Sequence, residues 1–278
     1  MRRRLAQIAA LGAAGALAAG CGGGDEKRPV PSGPPKASEP LKTAVRAYEK
    51  AAADQDCYAF VRFEHSTVRP RGKKPDDPPD AQECENLGQS YVRLQDFKAN
   101  RARQFGTAVA LVEGNIEARV VELIFTLDFD GRWKQVVATP PGASPQLGNQ
   151  PVQRNSFAKN AAAWVEAQRR GDCRTIFRLY NSASTFIAQD DNDRGRFCQR
   201  FERGRSAPQS LPAQLARSPG AKPVDLGGTP DFHFFGLATA GGGYWTVISS
   251  TLPPGLPAFG HAQDSILDYY PNRRPAGA

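Results

Sequence analysis

Apolar residues recur along this chain in two rhythms, one helical and one of strands. Leu41, Val45 and Tyr48 stand at i, i+4 and i+7, the stripe of an amphipathic helix, and predict a helix over residues 40–54. Asp56 is placed to N-cap a second helix running to about His65. A Pro- and charge-rich loop, Arg69 to Asp80, precedes a helix near 82–95 that carries Cys84. Thr107–Val112, a turn at Glu113-Gly114-Asn115, and Ile116–Asp128 read as long antiparallel strands, from their β-branched and aromatic content with partial alternation. Asp130-Gly131 turns the chain into a returning strand, Trp133–Ala138. Thr139–Pro151, with four Pro and two Gly, divides the chain. Beyond it come helices near 152–170, 173–181 and 193–204, strands near 222–226, 231–240 and 244–251, and a Pro-rich tail from Leu252.

The two stretches repeat. A shift of 116 residues lays Ala47, Ala51, Asp56, Cys57, Arg62 and Ser66 on Ala163, Ala167, Asp172, Cys173, Arg178 and Ser182. The apolar stripe follows, with Phe157, Ala161 and Trp164 in the places of Leu41, Val45 and Tyr48. Further on, a shift of 112 brings Gly131-Arg132-Trp133 onto Gly243-Tyr244-Trp245 and Val136 onto Ile248. Matches at both ends in the same order predict two tandem copies of one domain.

The N-terminus changes where the chain is expected to act. Three Arg precede sixteen uncharged residues, Leu5–Gly20, and then Cys21. The run is too short and too rich in Ala and Gly to span a membrane and has the anatomy of a secretory signal. Leu17-Ala18-Ala19-Gly20-Cys21 resembles a bacterial lipobox, with Ala18 where Leu is commoner, and implies lipidation of Cys21. Gly22–Pro40 holds four Gly, five Pro and no aromatic residue, the composition of a tether. An exported chain meets an oxidising compartment, and once Cys21 is assigned to lipid four Cys remain, which predicts the disulfides Cys57–Cys84 and Cys173–Cys198. No closely spaced Cys or His pair suggests zinc.

Helices followed by long curved antiparallel strands, in copies of just over 100 residues, indicate the α+β class. This order resembles the nuclear transport factor 2-like superfamily, which includes ketosteroid isomerase and the SnoaL-like cyclases, and more narrowly its small Cys-paired versions on bacterial lipoproteins. The motif carrying the resemblance stands as Ala-Gln-Arg-Arg-Gly-Asp-Cys at 167–173 and Ala-Ala-Ala-Asp-Gln-Asp-Cys at 51–57. The resemblance implies two tandem cone-like domains, each with N-terminal helices packed on a curved antiparallel sheet and a pocket between them. It implies no reaction. The organisation expected is a signal peptide at 1–20, lipidated Cys21 and tether at 21–40, domains at 41–141 and 152–252 joined by a linker at 142–151, and a tail at 253–278.

Candidate chemistry is sparse. The three His are His65, His233 and His261. Asp231 and His233 share one face of a strand by period two, and an Asp–His pair in a pocket could act as a general base, but ordinary surface residues at a strand start look the same. His65 follows a helix whose C-terminus would stabilise imidazolium, and His261 lies in the tail. Asp56 and Asp172 read as helix caps, Trp133 and Trp245 as core, Arg62 and Arg178 as exposed or ion-paired. The Gly22–Gly24 and Gly241–Gly243 runs lack phosphate-loop or dinucleotide spacing.

Removing Arg2, Arg3 and Arg4 takes the net charge from +8 to +5, too little to imply a nucleic-acid partner. The basic cluster Arg194–Arg205, with Phe197 and Phe201 on its apolar side, would meet an anionic membrane or wall polymer if it meets a partner. The expectation is a non-catalytic lipoprotein, anchored on the extracytoplasmic face of the cell membrane, whose tandem domains bind an envelope protein or wall polymer without metal or cofactor. A small-ligand carrier using a cone pocket, and an isomerase- or dehydratase-like enzyme using Asp231 and His233, are the alternatives.

Overall fold

Helix α1, Leu41–Ala53, places Ala44, Val45, Tyr48, Ala51 and Ala52 on one buried face. The computed structural model describes residues 33–67, 77–85, 94–138, 154–180, 193–251 and 265–275, all within one compact unit, Pro31–Ala278. The signal segment 1–20, Cys21, the linker 142–151 and His261 lie outside the described residues. After α1, the Asp56 carboxylate accepts the N–H of Ala59 at 3.1 Å and starts α2, Cys57–Val61, which ends well before His65. Residues 81–85 are helical and carry Cys84, disulfide-bonded to Cys57 with a Cα separation of 5.6 Å. Residues 94–96, where that helix was expected to end, form a turn.

Four strands follow as an antiparallel meander: β1 Lys98–Phe105, β2 Val109–Ile116, β3 Arg119–Leu127 and β4 Trp133–Ala138. Strand β1 has no counterpart in the sequence expectation. Its residues, Lys-Ala-Asn-Arg-Ala-Arg-Gln-Phe, carry no apolar alternation, because the strand is an edge with few buried positions. The expected turn at Glu113-Gly114-Asn115 is also corrected, since β2 runs straight through it. Gly114 is there for space: a Cβ would collide with the Phe97 ring. The chain turns instead at Glu117-Ala118, with Glu117 at φ 54°.

The second half begins with α3, Arg154–Arg170, and α4, Cys173–Leu179, whose Asp172 cap accepts the Thr175 N–H at 3.1 Å. Cys173 joins Cys198 on α5, Arg194–Gly204, at a Cα separation of 5.4 Å. A short helix the sequence pattern did not predict, α6 Leu211–Ala216, is capped by Ser210 and has Pro in its first turn. The second sheet is β5 Val224–Gly228, β6 Phe232–Ala238, β7 Tyr244–Ser250 and β8 Ser265–Arg273, in that order. Strand β8 overturns the expected tail at 253–278. Pro271 obscures the strand in the sequence, yet β8 is an edge, where a missing N–H is tolerated.

Each sheet buries both faces. One face of the first packs beneath α1 through Ala110, Val112, Leu123 and Phe125. The other sets Val109, Leu111 and Ile124 against Phe234, Ile248 and Leu267 of the second sheet, with the Phe105 and Phe234 rings 4.9 Å apart. The second sheet is covered in turn by α3, so the layers run helix, sheet, sheet, helix. Burial on both faces explains why β7, fully buried along its length, shows no hydrophobic alternation.

A polar brace crosses the seam. The Asn272 amide on β8 donates to Thr126 Oγ1 at 2.7 Å and to the Leu127 carbonyl at 2.6 Å, and its oxygen accepts from Thr246 at 2.7 Å. All of these groups are buried, so losing one partner would strand the others at about 1–3 kcal/mol each.

Both halves carry a parallel bridge 116 residues apart. Glu64 bridges Gln135 on β4, and Tyr180 bridges Ile266 on β8, in each case the last strand of its sheet. The Gly-x-Trp match does not keep this equivalence, because Trp133 opens the fourth strand of one sheet and Trp245 lies in the third of the other. The described part of the expected tether is tied to the first sheet. Pro35 is buried, Ser38 N–H donates to the Gly131 carbonyl at 2.8 Å, and the Trp133 indole donates to the Glu39 carbonyl at 3.2 Å.

Candidate functional site

A cavity of about 700 Å³ opens in the second half, bounded by α5, the turn into α6, the end of α4 and strand β8. Helix α5 supplies Phe197, Arg200 and Phe201 from one face, as spacings of three and four residues require. Asp193 caps the helix through the Arg196 N–H at 2.8 Å, and Cys198 ties it to the start of α4. Tyr180 enters from the residue after α4, and Tyr269 from β8. The Arg200 guanidinium lies 5.6 Å from the centre of the Phe197 ring, and the Phe197 and Phe201 rings are near-parallel at 6.3 Å. Trp164 of α3 backs the two tyrosines, 6.1 Å from Tyr180 and 5.1 Å from Tyr269.

Burial pushes the Tyr180 phenol well up and the Tyr269 phenol up to about 12, against the Arg200 charge, which pulls both down. Both therefore stand as neutral O–H groups across the physiological range. At the rim, Arg205 pairs with Glu202 at 2.7 Å, Arg203 is exposed, and Ser210 donates to the Arg205 carbonyl at 2.7 Å. Among the described residues, none that lines it is a carboxylate or an imidazole. The wall thus offers hydrogen-bond donors, positive charge and aromatic surface.

In the first half an aromatic cluster surrounds the counterpart of Trp164. Tyr48, the counterpart of Trp164, sits fully buried with ring centres of Phe60, Phe63, Phe97 and Phe125 between 5.1 and 6.3 Å away.

Compared with known protein families, curated proteins and solved structures, the chain matches none.

The geometry separates the Asp–His candidate. His233 Nε2 lies 2.7 Å from Asp225 Oδ1 on the neighbouring strand, and its ring stacks on Phe157 at 5.2 Å, so its partner is not Asp231. Asp231 instead stands near Glu122 of the first half. His65 is fully buried under Tyr270, with Nδ1 2.9 Å from Thr67 Oγ1 and Nε2 3.6 Å from Asp128. Burial pulls its pKa down despite Asp128, so the imidazolium expected at a helix end is not favoured. Asp56 and Asp172 cap helices, Trp133 and Trp245 are core, and Arg62 and Arg178 are exposed.

A second cluster lies on the seam. Glu122 is nine-tenths buried and directly opposite Glu113, which pairs with Arg103 at 2.7 Å. Burial, then Asp231 and Glu113, raise the Glu122 carboxyl to about 7.

Sequence reasoning found the basic stretch of α5 but missed Tyr180 and Tyr269. The signal for Tyr269 was present in Ile266-Leu267-Asp268-Tyr269-Tyr270, a β-rich run read as tail because Pro surrounds it. Among the described residues, no helix is long and apolar enough to cross a membrane.

Proposed function

We propose that this chain is a non-catalytic lipoprotein, anchored through Cys21 on the extracytoplasmic face of the cell membrane, with two tandem cone-like domains of nuclear transport factor 2-like type. The first domain is a filled, supporting copy. The second is the binding copy. The observation that carries the assignment is the cavity of about 700 Å³ in the second half, lined by Tyr180, Arg200 and Tyr269. That volume lies within the range of small-molecule sites, about 300–1,000 Å³. Two disulfides agree with an oxidising compartment.

Native mass spectrometry of the protein extracted from its own membrane tests the reading. The expected spectrum shows a chain beginning at a lipidated Cys21 and retaining a small additional mass, and Cys21→Ser moves the protein from the membrane to the soluble fraction. A chain still carrying residues 1–20, or one whose membrane association survives Cys21→Ser, would overturn the anchor. A pocket variant abolishing a measured turnover would overturn the non-catalytic role.

A further inference from the structure

Resting on the reading that the cavity between α5 and β8 is a binding site, we infer that its ligand is an oxyanion, a carboxylate or phosphate, carried on a flat apolar body. Phe197 and Phe201 present near-parallel rings along one wall, which suits a planar apolar group. Arg200 lies over the Phe197 ring, and its charge reaches both phenols. Guanidinium N–H and phenol O–H groups are donors, and an ionised carboxylate or phosphate is an acceptor only, so the two sets complement each other. A cationic ligand would meet Arg200, Arg203 and Arg205. A neutral apolar ligand brings no acceptor to the Arg200 charge.

Such an amphiphile has two sources, a membrane lipid with an anionic headgroup and a free aromatic acid. The full chain in nanodiscs, titrated by fluorescence with empty nanodiscs subtracted, decides between them. The probes are 2-naphthyl phosphate and 2-naphthoate, with 2-naphthylmethanol as the uncharged control and inorganic phosphate as the bare ion. The anionic naphthyl probes are expected to bind one per chain, at least roughly tenfold tighter than the alcohol. Arg200→Gln should cost them about tenfold and leave the alcohol unchanged. Tyr269→Phe, which removes one hydroxyl and keeps the ring, should weaken them several-fold, and Arg178→Gln, outside the cavity, should do nothing. Competition by phosphatidic acid in the disc identifies a lipid as the source; undiminished probe binding in that disc identifies a free acid. Equal binding of anion and alcohol, or anion binding untouched by both Arg200→Gln and Tyr269→Phe, overturns the oxyanion assignment and leaves the binding module standing. Failure of every probe, alcohol included, overturns the cavity as a site and takes both readings with it.

Discussion

The two halves share their beginnings and differ inside. Each opens with a helix, an Asp cap and a disulfide-bonded Cys, and each returns a parallel bridge to the last strand of its sheet. Beneath the helices they part. The first sets four Phe side chains around Tyr48, while the second sets Tyr180 and Tyr269 around its counterpart Trp164, with a cavity edged by arginines on their far side. A scaffold held by caps and a disulfide can thus be kept while its interior is either sealed or opened. The two halves then share a core where their sheets pack at the seam.

The sharpest way to break this comparison is to truncate one aromatic in each interior. Phe125→Ala, at a fully buried site, should cost about 3–5 kcal/mol in equilibrium urea unfolding, whereas Phe201→Ala on the cavity wall should cost about 1 kcal/mol or less. Equal losses would mean that the second interior is as sealed as the first.

The disulfides come next. Replacing either Cys pair by Ala should remove roughly 3 kcal/mol, since the loops are similar in length. Only the loss of Cys173–Cys198 should weaken 2-naphthyl phosphate binding, because that bond holds α5 in place. If the Cys57–Cys84 variant loses binding equally, the halves are not independent in their ligand chemistry.

Two buried groups at the seam push stability in opposite directions with pH. Glu122 has a folded pKa near 7 against an ordinary value of 4.5, so the folded state holds the extra proton and stability falls as pH rises from 4.5 through 7. Glu122→Gln should therefore stabilise the protein by on the order of 2 kcal/mol at pH 8 and have no effect at pH 4, read by urea unfolding at both pH values. His65 has the reverse sign: its pKa is lowered by burial, the unfolded chain takes the proton first, and stability falls as pH drops below 6.5. His65→Gln should flatten that acid limb in melting curves taken between pH 7.5 and 5.5. An unchanged limb would place its origin in another group.

The smallest effect concerns the hairpins joining the second and third strands. The second half turns through Gly241 and Gly242 at φ 72° and 78°, while the first sets Glu117 at φ 54°. Glu117→Gly should relieve this conformation and raise stability by a few tenths to about 1 kcal/mol in the same assay. A destabilised variant would show that Glu117 contributes a contact worth more than the strain.

Much of the helical part was legible, and for a local reason. Caps, stripes and Cys positions lie within a few residues of the structure they set, so α1, α3 and α5 could be placed from Tyr48, Trp164 and Phe197 with their neighbours. The sheets were harder because their signals depend on what faces them. Strand β1 is polar because it is an edge, and Gly114 looked like a turn because the Phe97 ring that requires it stands some seventeen residues away in sequence. The Asp231–His233 pair failed for the same reason, since the register that brings Asp225 to His233 is a property of two strands. Of the cavity, the arginines of α5 were visible as a cluster, but only the bridge of Tyr180 to β8 brings Tyr269 to them.

The Arg273 side chain reaches back across almost the whole sequence, donating to the Gly33 carbonyl at 2.6 Å as well as to that of Gly242. Five residues on, Ser38 is held by the β3–β4 turn of the first sheet. The entry of the chain and its final strand are therefore one mechanical joint. A pull arriving at Gly33 is divided between both sheets before any helix feels it, and a cargo fused after Arg273 would ride beside Gly33 rather than at the far end.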